Sequence, residues 1–223
     1  MIVAITGGID TRAPCALAAN LAVLRTRSGS RMCLLDIDPA RRAYRWGCER
    51  NEAGQGPALA SLALPMLSAR SPADGIDRIA ASYSDLLIHT GACAGQDSRS
   101  ALLSARLVVV PLAPAAYDLA TNYALVAELN GARMFNPSLK VLFVMLADGV
   151  EPGALEWARA RLYVHEVMSA TLAATVLHLP AAGDYGQGRC VCDAETCDPD
   201  AAAELHALYR EVYAQHAATP PSE

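Results

Sequence analysis

The sequence lacks any apolar run long enough to cross a lipid bilayer. Its longest run of this kind, residues 105–116, contains Arg106 and two prolines, whereas a spanning helix needs about 20 consecutive apolar residues. The amino terminus also lacks the basic flank and long apolar segment of a signal peptide, because the strand-like MIVAIT begins at the first residue. These absences predict a cytoplasmic protein without a membrane span.

A surplus of basic residues is also missing. The chain has 18 lysine and arginine residues against 23 acidic ones, a formal net charge of −5, and Lys140 is its only lysine. Proteins that bind nucleic acid draw much of their affinity from cationic contacts with phosphates. We therefore do not expect DNA binding, and salt-dependent retention on DNA is the measurement that would support it.

Paired C-x2-C spacing is absent as well. The seven cysteines are an odd number, and cytosolic thiols normally stay reduced, so we expect no disulfide framework. Cys190, Cys192 and Cys197 form a C-x-C-x4-C array beside Asp193 and Asp198. The sequence leaves a metal at these thiols open, but the missing pairs favour a strand and loop of small residues. We predict no metal site.

Apolar segments of strand length alternate with segments of helical period, which is typical of βα units. We predict an α/β fold of three layers, with a mostly parallel, twisted sheet of about seven strands and helices on both faces. One domain is expected over residues 1–218 and a disordered tail over 219–223. Strands are predicted near residues 2–6, 31–36, 85–89, 107–112, 140–146, 174–177 and 189–192, helices near 13–26, 73–82, 98–105, 117–135, 152–163 and 201–215, and a loop at 51–57.

The first predicted strand runs directly into a loop and a helix, where P-loop enzymes hold phosphate on backbone amides and the helix dipole. The segment reads AITGGIDTRAPCALAANLAVL and is followed by LLDIDPARRA. Together with SARLVVVPLAPAAYDL and DPDAAAELHALYREV, these segments resemble the ParA/MinD family of partitioning and positioning ATPases, in order and over nearly the whole chain. The resemblance implies a P-loop NTPase fold of the deviant Walker A type.

The nucleotide-binding loop of that family is altered here. Ile9 stands where the resemblance places the lysine that reaches a partner's nucleotide, Pro14 where it places the lysine for the β- and γ-phosphates, and Cys15 where it places the magnesium-binding hydroxyl. Without glycines the backbone resists left-handed geometry, so we expect another loop shape, with Asp10 or Thr11 capping the first helix. The family's K-G-G-x-G-K-T-T falls on Ile9, Asp10, Thr11, Arg12, Ala13, Pro14, Cys15 and Ala16 when aligned on the shared AANLA.

Two further nucleotide contacts of the family are missing. Its D-T-P-G becomes His89, Thr90, Gly91 and Ala92, and histidine is a poor ligand for magnesium. The asparagine that recognises adenine has no counterpart in FVMLADGV.

Asp36 and Asp38 of LLDIDPA are retained. In the family the first positions the attacking water and the second belongs to the switch region. Without phosphate and magnesium we expect the pair to serve structure here, for example by capping the next helix.

The resemblance therefore implies a non-catalytic pseudo-ATPase without a nucleotide cofactor. We predict a partner-binding or scaffold component in cargo partitioning or positioning, or in the regulation of an envelope assembly. The alternative is a divergent ParA-like ATPase that still binds nucleotide and takes part in plasmid or chromosome partitioning. The predicted partner is a second copy, joined without nucleotide through apolar groups at Ile9 and Pro14, or an active ParA-like homologue.

Two side-chain groups near the altered site have competing interpretations. Arg41, Arg42 and Arg45 share a helix face and, with Trp46, are candidate partner-binding residues, although a solvated helix face explains the arginines more simply. Cys15 and His89 offer a thiol and a base. Filling of the vacated site is the simpler explanation of that second pair.

Overall fold

The computed structural model describes residues 1–7, 12–63, 71–92, 95–113, 119–147, 151–178, 188–193 and 198–213. Within these residues the chain forms seven strands and seven helices that alternate along most of its length. The strands are β1 Ile2–Gly7, β2 Met32–Asp36, β3 Ala60–Ala63, β4 Asp85–Ala92, β5 Leu107–Leu112, β6 Lys140–Leu146 and β7 Ala170–Leu177. The helices are α1 Arg12–Arg27, α2 Arg42–Glu52, α3 Pro72–Ala80, α4 Gln96–Ser104, α5 Leu119–Phe135, α6 Ala154–His165 and α7 Pro199–Tyr213.

The strands form one parallel sheet in the order β3-β2-β4-β1-β5-β6-β7. All strands therefore end at one edge of the sheet, which we call the carboxyl edge, and begin at the opposite amino edge. β1 lies between β4 and β5 and is buried from Val3 onward, as expected for a strand covered on both faces. The predicted α/β class, its parallel sheet and its strand number are confirmed.

Helices cover both faces of the sheet and enclose two cores. One core lies beneath α3, α4, α5 and α6 and includes Ile76, Leu102 and Leu129. The other lies beneath α1, α2 and α7 and includes Leu17 and Leu208. The strands alternate their side chains between the two layers, which explains their near-continuous apolar sequences.

Local sequence signals set several helix starts. Ser71 accepts a hydrogen bond from the amide of Asp74 and Pro72 follows it, so α3 begins at a side-chain cap with proline in the first turn. Asp198 accepts from the amides of Asp200 and Ala201 at the start of α7. These caps satisfy amides that have no partner within the helix.

Three assignments made from the sequence differ from the structure. Residues 189–192 are not a strand, because this segment is held by side chains from α1 and α2 rather than by a neighbouring strand. The seventh strand is β3, which the sequence analysis missed. Residues 51–52 also belong to α2 and not to a loop. The predicted tail at 219–223 lies outside the described residues.

Among the described helices, none combines the length and apolar character needed to cross a bilayer.

Candidate functional site

The carboxyl ends of β2 and β4 bring two buried ionisable residues together. Asp36 ends β2, His89 is its register partner in β4, and both side chains are fully buried. Nδ1 of His89 lies 3.0 Å from Oδ1 of Asp36. Because a carboxylate only accepts hydrogen bonds, Nδ1 carries the proton. The sheet register therefore builds an aspartate–histidine pair at the position that the resemblance assigns to catalysis.

Asp36 also ties β2 to the start of α2. Its Oδ1 accepts from the amide of Asp38 at 3.0 Å, and its Oδ2 accepts from the amide of Tyr44 at 2.9 Å. Tyr44 is the third residue of α2, and Arg41, the residue before this helix, makes no side-chain cap. Asp36 thus makes the helix-capping contact from the preceding strand.

Asp38 is buried beside a close backbone approach. Its Oδ1 accepts from the amide of Ala40 at 3.1 Å, and its Oδ2 has no hydrogen-bond partner within the part of the chain that the structure describes. Gly91 has a φ of +69°, and a Cβ added there would lie 2.9 Å from Cγ of Asp38. Glycine is required at this position both by its left-handed backbone and by the neighbouring carboxylate.

The first turn of α1 lies at the same edge. Arg12 is exposed, Ala13 and Cys15 are half-buried, and Pro14 and Ala16 are buried. Pro14 is thus enclosed within the monomer, which is contrary to its predicted role as an apolar dimer contact. Ile9, Asp10 and Thr11, with their predicted roles, lie outside the described residues.

The environment of Cys15 disfavours a thiolate. Burial, together with the charges of Asp36 and Asp38, raises the pKa of the Cys15 thiol to about 12 against a lowering by Arg42 and Arg45. Nε2 of the buried His89 has no hydrogen-bond partner among the described residues, so it makes no bond to the thiol. Asp36 orients His89 as a thiol–base arrangement requires, but the other half of that arrangement is not formed.

Thr90 and an adjacent cleft also lie at the carboxyl edge. The Thr90 hydroxyl donates to the hydroxyl of Thr6 at 2.8 Å and so links β4 to β1. A cleft of about 450 Å³ opens beyond it, between the end of β2 and the start of α4. Its lining includes Asp38, Arg42, Thr90 and Ser98, so it combines one buried carboxylate with one guanidinium.

The predicted partner-binding residues separate into two groups. Arg41, Arg42 and Arg45 are exposed, and Arg41 has a φ of 51°, a left-handed conformation that is uncommon for arginine. Trp46 is 7% exposed, packs in the core beneath α1 and α2, and donates from its indole nitrogen to the carbonyl of Arg189 at 3.0 Å. The inclusion of Trp46 in an exposed docking surface was therefore wrong.

The partner of Trp46 belongs to a segment that we call the strap, residues 188–193. The strap lies against α1 and α2: the amide of Val191 donates to Asn20 at 2.9 Å. The fully buried Arg50 donates to the carbonyl of Gly188 at 2.7 Å and to both oxygens of Asp193 at 2.8 and 2.9 Å. Sequence analysis missed Arg50, although it shares the buried face of α2 with Ala43, Trp46 and Gly47 at helical spacing.

The strap also contains two of the three clustered cysteines. Burial, with a smaller contribution from Asp193, raises the pKa of Cys190 to about 12, whereas metal binding needs a thiolate. Among the described residues no group of three metal-ligating side chains is present. Cys197, the third member of the predicted array, lies outside the described residues.

Comparison with known proteins gives similarity at the level of structure. No protein-family model matches the chain, and no curated protein matches it. A plasmid partition protein from Borrelia burgdorferi is similar at a TM-score of 0.59 and 11% identity, over 96% of this chain and 97% of that one. The MinC:MinD cell division complex of Aquifex aeolicus is similar at a TM-score of 0.65 and 14% identity, over 100% of this chain and 98% of that one. MinD from Pyrococcus horikoshii OT3, in complex with Mg-ADP, is similar at a TM-score of 0.59 and 15% identity, over 95% of each chain. At these identities the likeness shows the fold, and it confirms the ParA/MinD fold expected from the sequence.

Proposed function

From the ParA/MinD fold of this chain, we propose that it is a pseudo-ATPase: a non-catalytic protein that binds a partner or serves as a scaffold in cargo partitioning or positioning, or in the regulation of an envelope assembly. The observation that carries this proposal is the use of Asp36 by the protein itself. Its two carboxylate oxygens accept hydrogen bonds from His89, Asp38 and Tyr44 within the fold.

The residues present do not fit a magnesium-bound nucleotide. Magnesium prefers carboxylate and water oxygens, but the carboxylate of Asp36 is engaged and the neighbouring position is an imidazole. Cys15 presents a half-buried thiol with a raised pKa where the related fold uses a hydroxyl. Pro14 lacks both the ammonium group and the amide proton that would contact phosphate. Asp36, His89, Cys15 and Pro14 thus all disfavour the same ligand.

The fold that remains is suited to holding a surface in place. Asp36 joins the end of β2 to the first turn of α2, and the exposed arginines at 41, 42 and 45 begin that helix. In this proposal the hydrogen bond between Asp36 and the amide of Tyr44 holds the start of α2 in one position, where a nucleotide switch would move on binding its ligand. We propose this arginine surface as the docking site. The partner is a second copy of this chain or an active ParA-like homologue, and the MinC:MinD complex is an example of partner binding on this fold.

Isothermal titration with ATP, ADP and GTP in the presence of magnesium tests the proposal. We expect no binding in the micromolar range, and an intact ParA-like ATPase titrated in the same buffer provides the positive control. Micromolar binding accompanied by turnover, with turnover lost in Asp36→Asn, would instead establish the divergent ATPase. Circular dichroism of each sample shows whether the protein titrated was folded.

A further inference from the structure

The exposed apolar side chains of this protein collect on one face of the sheet. In the described part of the chain, the large apolar residues that are markedly exposed all lie on α4, α5, α6 or the turn after α6: Leu103, Tyr123, Met134, Phe135, Leu155, Leu162 and Met168. The described residues of α1, α2 and α7, on the opposite face, contribute none. Single exposed apolar residues are normal on a protein surface, but their restriction to one helical layer indicates a contact surface.

Helix α6 presents an exposed line of four side chains. Leu155, Arg159, Leu162 and Glu166 follow one another at the spacing that places residues on one side of a helix. Leu155 is 65% exposed and Leu162 is 69% exposed, and the two charged residues are exposed as well. The other side of α6 is buried on the sheet through Tyr163. We call the four exposed residues the α6 line.

The α6 line is complementary to a second copy of itself in antiparallel orientation. With Leu162 at the twofold axis, each Leu162 packs on the same residue of the other copy, and Arg159 of either copy meets Glu166 of the other. Leu155 then meets Met168, which is 47% exposed in the turn after α6. The three contacts share one register, because their members lie at nearly equal distances on either side of Leu162. This self-matching is what a twofold interface requires.

The charges of the α6 line fix the orientation of the two copies. Arg159 and Glu166 are seven positions apart, about 10 Å along the helix axis, so they do not pair within one copy. Neither side chain makes an ion pair with another described residue. An antiparallel arrangement pairs each charge with its opposite, whereas a parallel one brings like charges together.

We propose that the α6 line is the contact between two copies of this chain and that it forms without nucleotide. Helix α5 widens the contact, because Tyr123 and Met134 are 71% and 73% exposed on the same helical layer. α5 is about 25 Å long and each helix is about 10 Å across, so the two helices present roughly 500 Å² per copy. Two copies then bury roughly 1,000 Å², which reaches the lower range of specific interfaces.

This contact lies apart from the altered nucleotide site. The sequence resemblance places the nucleotide-bridging lysine at Ile9, before α1, whereas the α6 line lies on the helical layer across the sheet from α1. The contact therefore does not rest on the loss of nucleotide binding. It also leaves the arginines at 41, 42 and 45 open to a ParA-like homologue, because α2 covers the opposite face. A different protein at the α6 line would use its leucines but gives the symmetric charges around Leu162 no role.

Light scattering after size-exclusion chromatography, on the full chain without nucleotide, tests the proposal. We expect twice the mass of one chain at micromolar concentration. Leu162→Glu should weaken the dimer at least about a hundredfold, because one substitution removes two buried leucines and places two carboxylates at the axis. Circular dichroism shows whether this variant is folded, as expected for a side chain that is 69% exposed in the monomer.

Charge reversal distinguishes this contact from any other. Arg159→Glu alone should weaken the dimer about tenfold, because it places a carboxylate opposite Glu166. The double variant Arg159→Glu, Glu166→Arg pairs opposite charges again and should return the dissociation constant to within about threefold of the native value. Arg161→Glu is the matched control with the same change of charge on the same helix. Arg161 lies off the α6 line, 5.9 Å from the centre of the Trp157 ring, so the control should dimerise like the native chain.

Several results would overturn the proposal. A native chain that is monomeric, a Leu162→Glu variant that stays dimeric, or a double variant as weak as Arg159→Glu would each do so. An equal loss in Arg161→Glu would also overturn it, because net charge would then explain the effect. A chain that is monomeric with and without ATP contradicts this contact alone. A dimer that forms only with ATP and magnesium contradicts the proposed loss of nucleotide binding as well.

Discussion

Asp36 accepts three hydrogen bonds at the carboxyl edge, from the amides of Asp38 and Tyr44 and from the imidazole of His89. Replacing it with asparagine turns one accepting oxygen into an NH2 donor. In one orientation of the side chain this donor faces the amide of Tyr44, and in the other it faces the amide of Asp38 and the imidazole of His89. We predict that Asp36→Asn lowers the free energy of unfolding by about 1–3 kcal/mol, the cost of buried donors left without an acceptor. Urea denaturation measures this change.

Asp38→Asn is the matched comparison, because one oxygen of Asp38 already lacks a partner. This variant should change stability by less than about 1 kcal/mol, within the range of modest substitutions. Equal losses from the two variants would contradict a structural role specific to Asp36.

Single residues also show where sequence reasoning reaches its limit. The sequence suggested that Asp36 caps the next helix, since an aspartate at the end of a strand lies close to the following helix start. It did not place Trp46, whose partner Arg189 is 143 positions away along the chain. A tryptophan among arginines is typical of a binding surface, but here the strap, which contains Arg189, covers Trp46.

At the scale of elements, the strap depends on Asp193. Burial acts to raise the pKa of this carboxyl, but hydrogen bonds from Arg50 and from the amide of Cys190 outweigh it and lower the pKa from 3.8 to about 2. A depressed pKa in the folded state adds stability above the unfolded value, which is lost as the pH falls through the folded value. We therefore predict that the difference in stability between the native chain and Asp193→Asn is full above about pH 4 and shrinks toward pH 2.

At neutral pH, Asp193→Asn should cost about 3 kcal/mol, because the buried Arg50 loses its charged partner. Urea denaturation over a pH series measures both effects. The control Asp200→Asn alters an exposed aspartate in the first turn of α7 and should cost well under 1 kcal/mol, as for a surface site. A penalty for Asp193→Asn that stays constant down to pH 2 would exclude this ion pair as its cause.

The two elements that sequence misassigned have a common physical explanation. β3 consists of ASLA, three small residues and one leucine, and is mostly half-buried as an outermost strand of the sheet, so its apolar signal is weak. The strap sequence RCVC alternates like a strand, but its polar groups are satisfied by Asn20, Arg50 and Asp193 instead of by a ladder. Periodicity detects burial on alternate sides and does not reveal what supplies the hydrogen bonds.

At the scale of the whole molecule, parallel topology determines how function is arranged. Every strand ends at the edge that holds Asp36, His89 and the cleft, and helices α4 to α6 end at the other. The central strands and the helices around them were predictable because their apolar runs are long. The position of the exposed Leu103, Phe135 and Leu162 at the amino edge was not predictable, since the ends of α4, α5 and α6 come to that edge only through three crossovers.

The same topology bears on assembly. We propose that a chain with an aspartate–histidine pair, a buried proline and a half-buried thiol at these positions has no nucleotide ligand that would change its oligomeric state. We predict that size-exclusion chromatography with light scattering gives the same mass with and without ATP and magnesium. That mass corresponds either to a nucleotide-independent dimer or to a monomer that pairs only with an added ParA-like homologue, and mixing the two proteins separates these cases. An ATP-dependent change in the mass of this chain alone would contradict the proposed loss of nucleotide binding.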